Sequence, residues 1–531
     1  IFCDEVIPGD TFNLDVAAVV RSITPVAPVM DNSFIDIQFY FVPGRLCTKN
    51  EHSFEKVLAQ ENFSSYWAPA TKASFATTGD SISLKDIVRQ EEDSELMGIA
   101  PQSLANYLGL PPLSNDESTG LDSNIIINTL PFIAYAKIWN EWFRDENVEA
   151  PITNFEAFIT YAGIPLGGVD SSILPVRKFS DYFVSSLPSP QKGDSVLLPL
   201  AELAPVVAGD VQSQAILLAN TDPIKFTNTG AGQQASISGD VGLNAGSAVI
   251  TTGTNTSTNY LKPSNLWADL SQVPGISVND MRNLFALQRM KEKDARGGTR
   301  YREYLFNHFG VASADSRVQV PEFLFGKRIP LNITTVLQTS ETNDTPLGDT
   351  GAFSVTSYAE KAFVKSFTEW GYIIGVSCIR TQQSYSQGVP RMFSRVDRED
   401  FYHPSFANIG EQPVFVKELY VKSIDGSEGH TNTTVFGYQE AWADYRYKPN
   451  QVSGYLAPDA GDTVLSQWTY TSNFTAQPVK NADFQHQNRT QLDNTFVVTN
   501  SVYQYICDFY FHNNATRVMP LFSIPGLLDH H

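Results

Sequence analysis

The chain has 531 residues, with 37 Lys and Arg against 57 Asp and Glu, and its formal net charge is −20. Aromatic residues make up 12% of the chain and charged residues 18%, so it is too apolar to be disordered and too acidic to coat nucleic acid by bulk charge. No run approaches the ~18 uninterrupted apolar residues of a membrane-spanning helix, and we expect no membrane span.

The N-terminal part of the chain predicts β-strands. Residues 34–43 alternate, with Asp36 and Gln38 on one face and four apolar residues on the other, namely Ile35, Ile37, Phe39 and Phe41. Further aromatic and β-branched runs cover residues 363–378, 414–422 and 496–511, and Gly, Pro, Asn and Asp turns separate them. Because strand patterns occur at both ends of the chain, distant strands must pair, which is typical of Greek-key sandwiches and jelly rolls.

Two helical patterns interrupt the strands. Apolar residues of the first recur at helical spacing after Pro131, which suits a first helical turn; they are Phe132, Tyr135, Ala136, Trp139 and Phe143. The second runs from about residue 279 to 295, Gly297 and Gly298 break it, and an amphipathic turn follows over 299–309. The sequence therefore predicts a β framework with long, partly helical insertions.

Residues 227–259 differ in composition from their surroundings. Of these 33 residues, 27 are Gly, Ala, Ser, Thr, Asn or Gln, and Asp240 carries the only charge. Such a stretch cannot bury much apolar area. It is either a disordered linker or an exposed excursion whose few Val, Leu and Ile residues form small strands against symmetry-related copies, and composition alone favours neither.

The usual catalytic signatures are missing from the sequence. There is no GxxxxGK[ST], GxGxxG, HExxH or GxSxG motif, so we expect neither an enzyme nor a cofactor. We also expect no metal site, because His530 and His531 end the chain and the other histidines have no evident ligand partners. The four cysteines lie far apart, which favours free, mostly buried thiols over disulfides; they are Cys3, Cys47, Cys378 and Cys507.

Positive charge is concentrated in two stretches. Residues 281–328 hold ten Lys and Arg and five Asp and Glu, so this stretch has a net charge of +5 and the rest of the chain has a net charge of −25. A second basic stretch covers 380–398, with aromatic residues interleaved. Arginine among aromatics contacts phosphates and stacks on unpaired bases. The candidates for facing DNA or another subunit are Arg289, Lys291, Arg296, Arg391, Arg395 and Arg398. The alternative is that each arginine pairs with one of the abundant carboxylates.

Several blocks resemble the major capsid protein of microviruses, which are small icosahedral single-stranded DNA phages, and most closely the gokushovirus branch. They include CDEVIPGDTF (3–12), TPVAPVMDN (24–32), FYFVPGR (39–45), LPSPQKG (187–193), DARGGTRY (294–301), HFGV (308–311), FGYQE (436–440) and PGLLD (525–529). The blocks follow in order over nearly the whole chain. The low-complexity segment is where the resemblance lapses.

The resemblance implies a mainly β fold, an eight-stranded antiparallel jelly roll of the viral capsid type, formed as a single domain over residues 1–531. About sixty copies would enclose circular single-stranded DNA in a T=1 icosahedral virion. An insertion over 193–265 would form a protrusion at the three-fold axes for host attachment. Candidate host-facing residues in it are Thr227, Asn228, Gln233, Asp240, Asn244, Thr254 and Asn255.

The resemblance also implies partners besides the chain itself. These are the packaged DNA, a small basic DNA-binding protein, an internal scaffolding protein, a pilot protein and a host cell-surface receptor, with assembly in the bacterial cytoplasm. A second hypothesis from another class is a carbohydrate-binding β-sandwich, since Trp67, Trp139 and Trp142 permit sugar stacking. The helical spacing of Trp139 and Trp142 argues for a role in the core instead.

Overall fold

The structure is a computed structural model. It describes residues 1–47, 81–83, 99–112, 126–160, 173–193, 196, 206–208, 226–228, 234–235, 261–263, 266–268, 278–298, 300–339, 347–348, 350–421, 434–458, 464–497 and 503–519. The chain divides into two compact units, one formed by Ile1–Lys192 together with Glu292–His531 and the other by Gly193–Lys291.

Most regular structure in the described residues is extended. The strands in chain order are β1 Phe2–Val6, β2 Thr11–Ser22, β3 Ser33–Pro43, β4 Ser81–Ser83, β5 Ile126–Asn128, β6 Val206–Ala208, β7 Phe226–Asn228, β8 Gln234–Ala235, β9 Leu261–Pro263, β10 Leu266–Ala268, β11 Glu322–Pro330, β12 Ile333–Leu337, β13 Thr350–Ser366, β14 Gly371–Thr381, β15 Ser384–Tyr385, β16 Glu411–Phe415, β17 Val435–Glu440, β18 Asn450–Gln451 and β19 Tyr505–Thr516.

The α-helices are mostly short. They are α1 Leu104–Tyr107, α2 Leu130–Ile138, α3 Phe155–Thr160, α4 Val278–Gly297, α5 Tyr301–Phe309, α6 Asp315–Val318, α7 Ala443–Arg446, α8 Ala482–Gln485 and α9 Thr490–Asp493. Single 3₁₀ turns occur at Gly44–Leu46, Arg391–Ser394, Arg398–Asp400, Pro404–Phe406, Val416–Glu418, Gly454–Leu456 and Val464–Trp468.

Two four-stranded antiparallel sheets form the centre of the first unit. Their strand orders are β1-β14-β3-β11 and β12-β13-β2-β19. In each sheet, strands from the first 43 residues pair with strands from beyond residue 322, and β19 pairs with β2 along its whole length. The predicted mainly β class is therefore confirmed, and eight strands in two sheets with crossed connections are consistent with a jelly roll.

Alternation of apolar residues explains why β2 and β3 are central. In β2 every second side chain is buried, from Phe12 to Val20, and in β3 the predicted face points into the same core. Phe39 lies at its middle and contacts the rings of Phe2, Phe325, Phe363 and Phe511. The two sheets thus bury one aromatic-rich layer between them.

The other face of the first sheet is also covered. Tyr40 and Val42 of β3 pack with α2 in a second apolar cluster. Helix α2 begins with Pro131 in its first turn, as predicted, and continues as a π-helical turn over Trp139–Phe143. The alternating pattern alone did not reveal this second apolar layer.

Other element predictions had mixed outcomes. The helix expected near 279–295 is α4, and it ends at Gly297 as predicted. The run 363–378 is not one strand but β13 and β14 with a turn between them, and 414–422 passes from β16 into a 3₁₀ turn. All four cysteines are free, as predicted, yet only Cys47 is fully buried, and Cys507 on the edge strand β19 is exposed.

In the second unit the described strands are short. Strand β6 pairs with β10, and β7 pairs with both β8 and β9, all antiparallel. Of the predicted host-facing residues, Thr227 and Asn228 lie in β7, while Gln233, Asp240, Asn244, Thr254 and Asn255 lie outside the described residues. Their role stays a prediction.

Candidate nucleic-acid interface

The basic segment begins on helix α4. Arg289 is exposed and Lys291 is half-buried on this helix. The helix ends at a two-glycine turn that α5 packs against, since a Cβ on Gly297 would lie 1.8 Å from the Asn307 side chain. His308 Nε2 of α5 is 2.7 Å from Asp294 Oδ1 of α4, which ties the two helices together.

Arg296, the third candidate in this segment, is paired within the chain. Its Nε donates to Glu411 Oε1 at 2.9 Å, and Glu440 lies 3.5 Å away. Burial raises the pKa of Glu411, and the Arg296 guanidinium opposes that shift. Burial lowers the pKa of Arg296, but the nearby Glu411 carboxylate raises it, and the net effect is an increase. Arg296 thus fits the alternative of carboxylate pairing.

Arg391 is also engaged inside the chain. It donates to the Pro413 carbonyl at 2.8 Å and lies 3.6 Å from Glu418, which accepts a hydrogen bond from Tyr182 at 3.2 Å. Burial raises the pKa of Glu418, and the nearby guanidinium opposes that shift. These contacts hold the guanidinium within the fold.

Arg395 and Arg398 differ in their surroundings. Arg395 pairs with Asp444 and stacks over the Tyr445 ring at 4.3 Å. Arg398 is exposed, and no carboxylate of the described residues pairs with it. The six candidates are therefore not one cluster: three use their charge inside the fold, and the DNA-facing role of all six stays a prediction.

A different set of cations lines a cavity of about 820 Å³ in the first unit, beside β3, β11, β14, α5 and the π-helical turn over Trp139–Phe143. The seven cationic residues on its wall are Arg144, Arg177, Lys178, Arg300, Arg302, Arg328 and Arg380. Two carboxylates, Glu141 and Glu303, also line it, which gives the wall a charge of +5. The cavity joins arginines from both basic stretches of the sequence, but none of the six candidates lines it.

One buried carboxylate organises the back of this cavity. Asp36, only 3% exposed, accepts from Arg328 Nε at 2.8 Å and from Arg380. Both guanidinium carbons lie 4.3 Å from the centroid of the Phe179 ring. A single negative charge thus holds two arginines against one aromatic ring, which fixes their orientation.

Aromatic and cationic side chains also lie together on another part of the wall. The guanidinium carbon of Arg302 lies 4.2 Å from the centroid of the Trp142 ring, and its Nη1 lies 3.1 Å from Asp315 Oδ1. Arg300 donates to two backbone carbonyls and to Glu303 at 3.2 Å. Burial, and next the charge of Arg300, lowers the pKa of Arg144, so the cations on this wall repel one another.

Four arginines of this cavity lie in the two basic stretches, but the sequence did not single them out as candidates; they are Arg300, Arg302, Arg328 and Arg380. Arg177, Lys178 and Phe179 come from a short run, VRKF, whose two adjacent cations before an aromatic ring were the available signal. Trp142 was placed in the core, and its indole Nε1 donates to the Pro321 carbonyl at 3.0 Å. Trp139 Nε1 donates to Pro175 at 2.9 Å, so both indoles are structural. Trp67 lies outside the described residues.

No group of three or more His, Cys, Asp or Glu side chains in the described part of the chain has a geometry that suits a metal ion. Nor does any described helix combine the length and the apolar character that a membrane span needs. What the described residues do present is a two-sheet β framework with a basic, aromatic-lined cavity and large exposed apolar side chains. This combination suits a structural protein that binds neighbours and an anionic polymer.

Comparison with known proteins defines the class as phage capsid proteins. The sequence model of the family described as "Capsid protein (F protein)" matches residues 1–527, and the chain belongs to this family. Three relatives, each named capsid protein VP1, match 99% of this chain. They come from Bdellovibrio phage phiMH2K (34% identical, 99% of this chain and 91% of the relative), Chlamydia phage 1 (32%, 99% and 92%) and Spiroplasma virus 4 (33%, 99% and 91%).

The family membership confirms the resemblance to gokushovirus capsid proteins. The chain is a structural protein of the virion of a small single-stranded DNA phage, not an enzyme, and it associates with itself to form a capsid.

Proposed function

We propose that about sixty copies of this chain form a T=1 icosahedral shell around circular single-stranded DNA. The main support is that the first unit exposes many large apolar side chains to solvent. Its most exposed large apolar side chains are 65–85% exposed and include Tyr301, Phe306, Phe309, Phe393 and Val396. A soluble monomer rarely exposes so much apolar surface, and neighbouring copies would cover it, with shell symmetry repeating each contact.

Host attachment is assigned to the insertion over 193–265, as a protrusion at the three-fold axes. Two observations support this. The second compact unit begins at Gly193, and 27 of the 33 residues over 227–259 are small or amide residues that cannot form a core of their own. Polar segments outside a core tolerate changes that alter receptor recognition without disturbing the shell.

The acidity of the chain predicts partners inside the particle. A net charge of −20 per copy cannot neutralise packaged DNA, so a small basic DNA-binding protein supplies much of that charge. An internal scaffolding protein and a pilot protein complete the proposed assembly, which takes place in the bacterial cytoplasm and yields particles that bind a cell-surface receptor.

Deletion of residues 227–259 separates the two roles. Purified full-length chain should sediment as a particle of many copies, visible in negative stain, and recovery of only a stable monomer would refute the shell. The deletion variant should still form particles that attach poorly to host cells. Failure of the variant to assemble would instead assign the segment to the shell itself.

A further inference from the structure

We propose that the cavity lined by Arg177, Arg302 and Arg328 binds one nucleotide of the packaged single strand, with its phosphate among these arginines and its base on the ring of Phe323. The proposal rests on the proposed function, since it names a contact with the DNA that the shell encloses. It places that contact away from all six arginine and lysine candidates that the sequence suggests.

The charge of the cavity wall selects an anion. Three further carboxylates, Asp36, Asp145 and Asp315, form ion pairs with lining arginines from behind the wall. When they are counted with Glu141 and Glu303, seven cations face five carboxylates, and a charge of +2 remains in a chain whose total is −20. A phosphate group would bring the wall close to neutrality.

Accessibility divides the arginines into two groups. The side chains of Arg328, Arg177 and Arg302 are 50%, 35% and 26% exposed, so a ligand in the cavity reaches them. Arg380 and Arg300 are largely buried and hydrogen-bonded to backbone carbonyls. The exposed arginines are therefore the contacts, and the buried pair adds positive potential.

The aromatic residues of the wall favour a nucleotide over an acidic peptide. The rings of Phe179 and Trp142 already lie against guanidinium groups. Phe323 on β11 packs on Tyr40 and Trp142, yet it stays 43% exposed at the cavity. A partly exposed aromatic ring beside arginines is an arrangement on which single-stranded bases stack. The volume of about 820 Å³ lies in the ordinary range of ligand pockets.

Fluorescence anisotropy of a labelled dT8 oligonucleotide with the full-length chain tests the cavity. The double substitution Arg177→Gln and Arg302→Gln should weaken binding at least about tenfold and reduce the slope of log K against log salt by about 0.7 for each lost phosphate contact. The matched control is Arg21→Gln with Arg489→Gln, which removes two exposed arginines outside the cavity and should change affinity less than about twofold.

Two further variants make the assignment specific. Phe323→Leu keeps an apolar side chain but removes the stacking face, and it should weaken dT8 binding about fivefold or more. Arg177→Lys with Arg302→Lys keeps the charge and serves if the glutamine variant does not fold; it should bind weakly with an unchanged salt slope, because lysine lacks the planar guanidinium fork.

Three results would overturn the proposal. One is equal binding by the cavity variants and the control. Another is a loss confined to Arg289→Gln with Arg398→Gln. The third is displacement of dT8 by an acidic decapeptide as effectively as by unlabelled dT8. Sedimentation of the unsubstituted chain tests the shell separately. If particles form but the cavity substitutions leave dT8 affinity unchanged, only this inference is refuted.

Discussion

Replacing Asp36 by Asn should destabilise the subunit more than any surface charge change. The substitution preserves shape but removes the one negative charge that Arg328 and Arg380 share behind the cavity. Asp36 is 3% exposed and the Arg380 side chain only 13%, so water cannot replace the lost partner.

The expected loss follows from these two contacts. Breaking a buried ion pair from one side costs about 3–5 kcal/mol, because the other charge stays buried without a counter-charge. Arg328 is half-exposed, and its share is at most about 1 kcal/mol. Since the Asn amide keeps one acceptor oxygen, we expect the free energy of unfolding to fall by about 3 kcal/mol in total. At an m-value near 3 kcal/mol/M, this loss lowers the urea midpoint by about 1 M.

Urea unfolding of the full-length chain, followed by tryptophan fluorescence, measures this loss. The matched control is Asp15→Asn on β2, whose carboxylate pairs with His512 at 3.4 Å while both side chains are about half exposed. The control should cost less than about 1 kcal/mol. Equal midpoints for the two variants would show that Asp36 does not hold Arg328 and Arg380 in place.

Three further predictions concern stability. Burial lowers the pKa of Lys480 to about 7 from 10.5. Between these pH values the unfolded chain binds more protons than the folded chain, so stability rises with pH, by at most about 1.4 kcal/mol per pH unit. Lys480→Met should reduce the difference between the urea midpoints at pH 7 and pH 9, and an unchanged difference would contradict the assignment. Phe39→Ala should cost about 3–5 kcal/mol, and a cost below 1 kcal/mol would argue against the packing between the sheets. Gly388→Ala should cost about 2 kcal/mol or more, because its Cβ would lie 1.9 Å from the Glu418 carbonyl oxygen. The control Gly351→Ala meets only ordinary contacts and should cost under about 1 kcal/mol. Similar melting temperatures for the two variants would refute this difference.

Local patterns predicted those elements whose geometry depends on neighbours in sequence. The face of β3 that carries Phe39, the Pro131 in the first turn of α2 and the end of α4 at Gly297 all follow from spacing and from backbone preferences. The run 414–422 was misjudged, because its apolar side chains pack in a core formed by distant segments and the backbone there turns as a 3₁₀ helix after Phe415.

The binding surface was less predictable than the strands. Arg296, Arg391 and Arg395 lie in the basic stretches, yet Glu411, Glu418 and Asp444, which pair with them, are distant in sequence and are joined to them only by folding. The charge of a segment therefore did not reveal which of its cations are available to a ligand.

The sequence by itself determined that the protein is β-rich and acidic, because composition and alternation are properties of the chain read in order, and the blocks that resemble microvirus capsid proteins indicated its structural role. Only the tertiary structure decided which charges pair and which converge. Arg177, Arg302, Arg328 and Arg380 are separated by up to 203 residues, yet they line one cavity. Arg328 and Arg380 meet there because β3 lies between β11 and β14 in the same sheet. Pairing between distant strands sets that proximity, and no local pattern contains it.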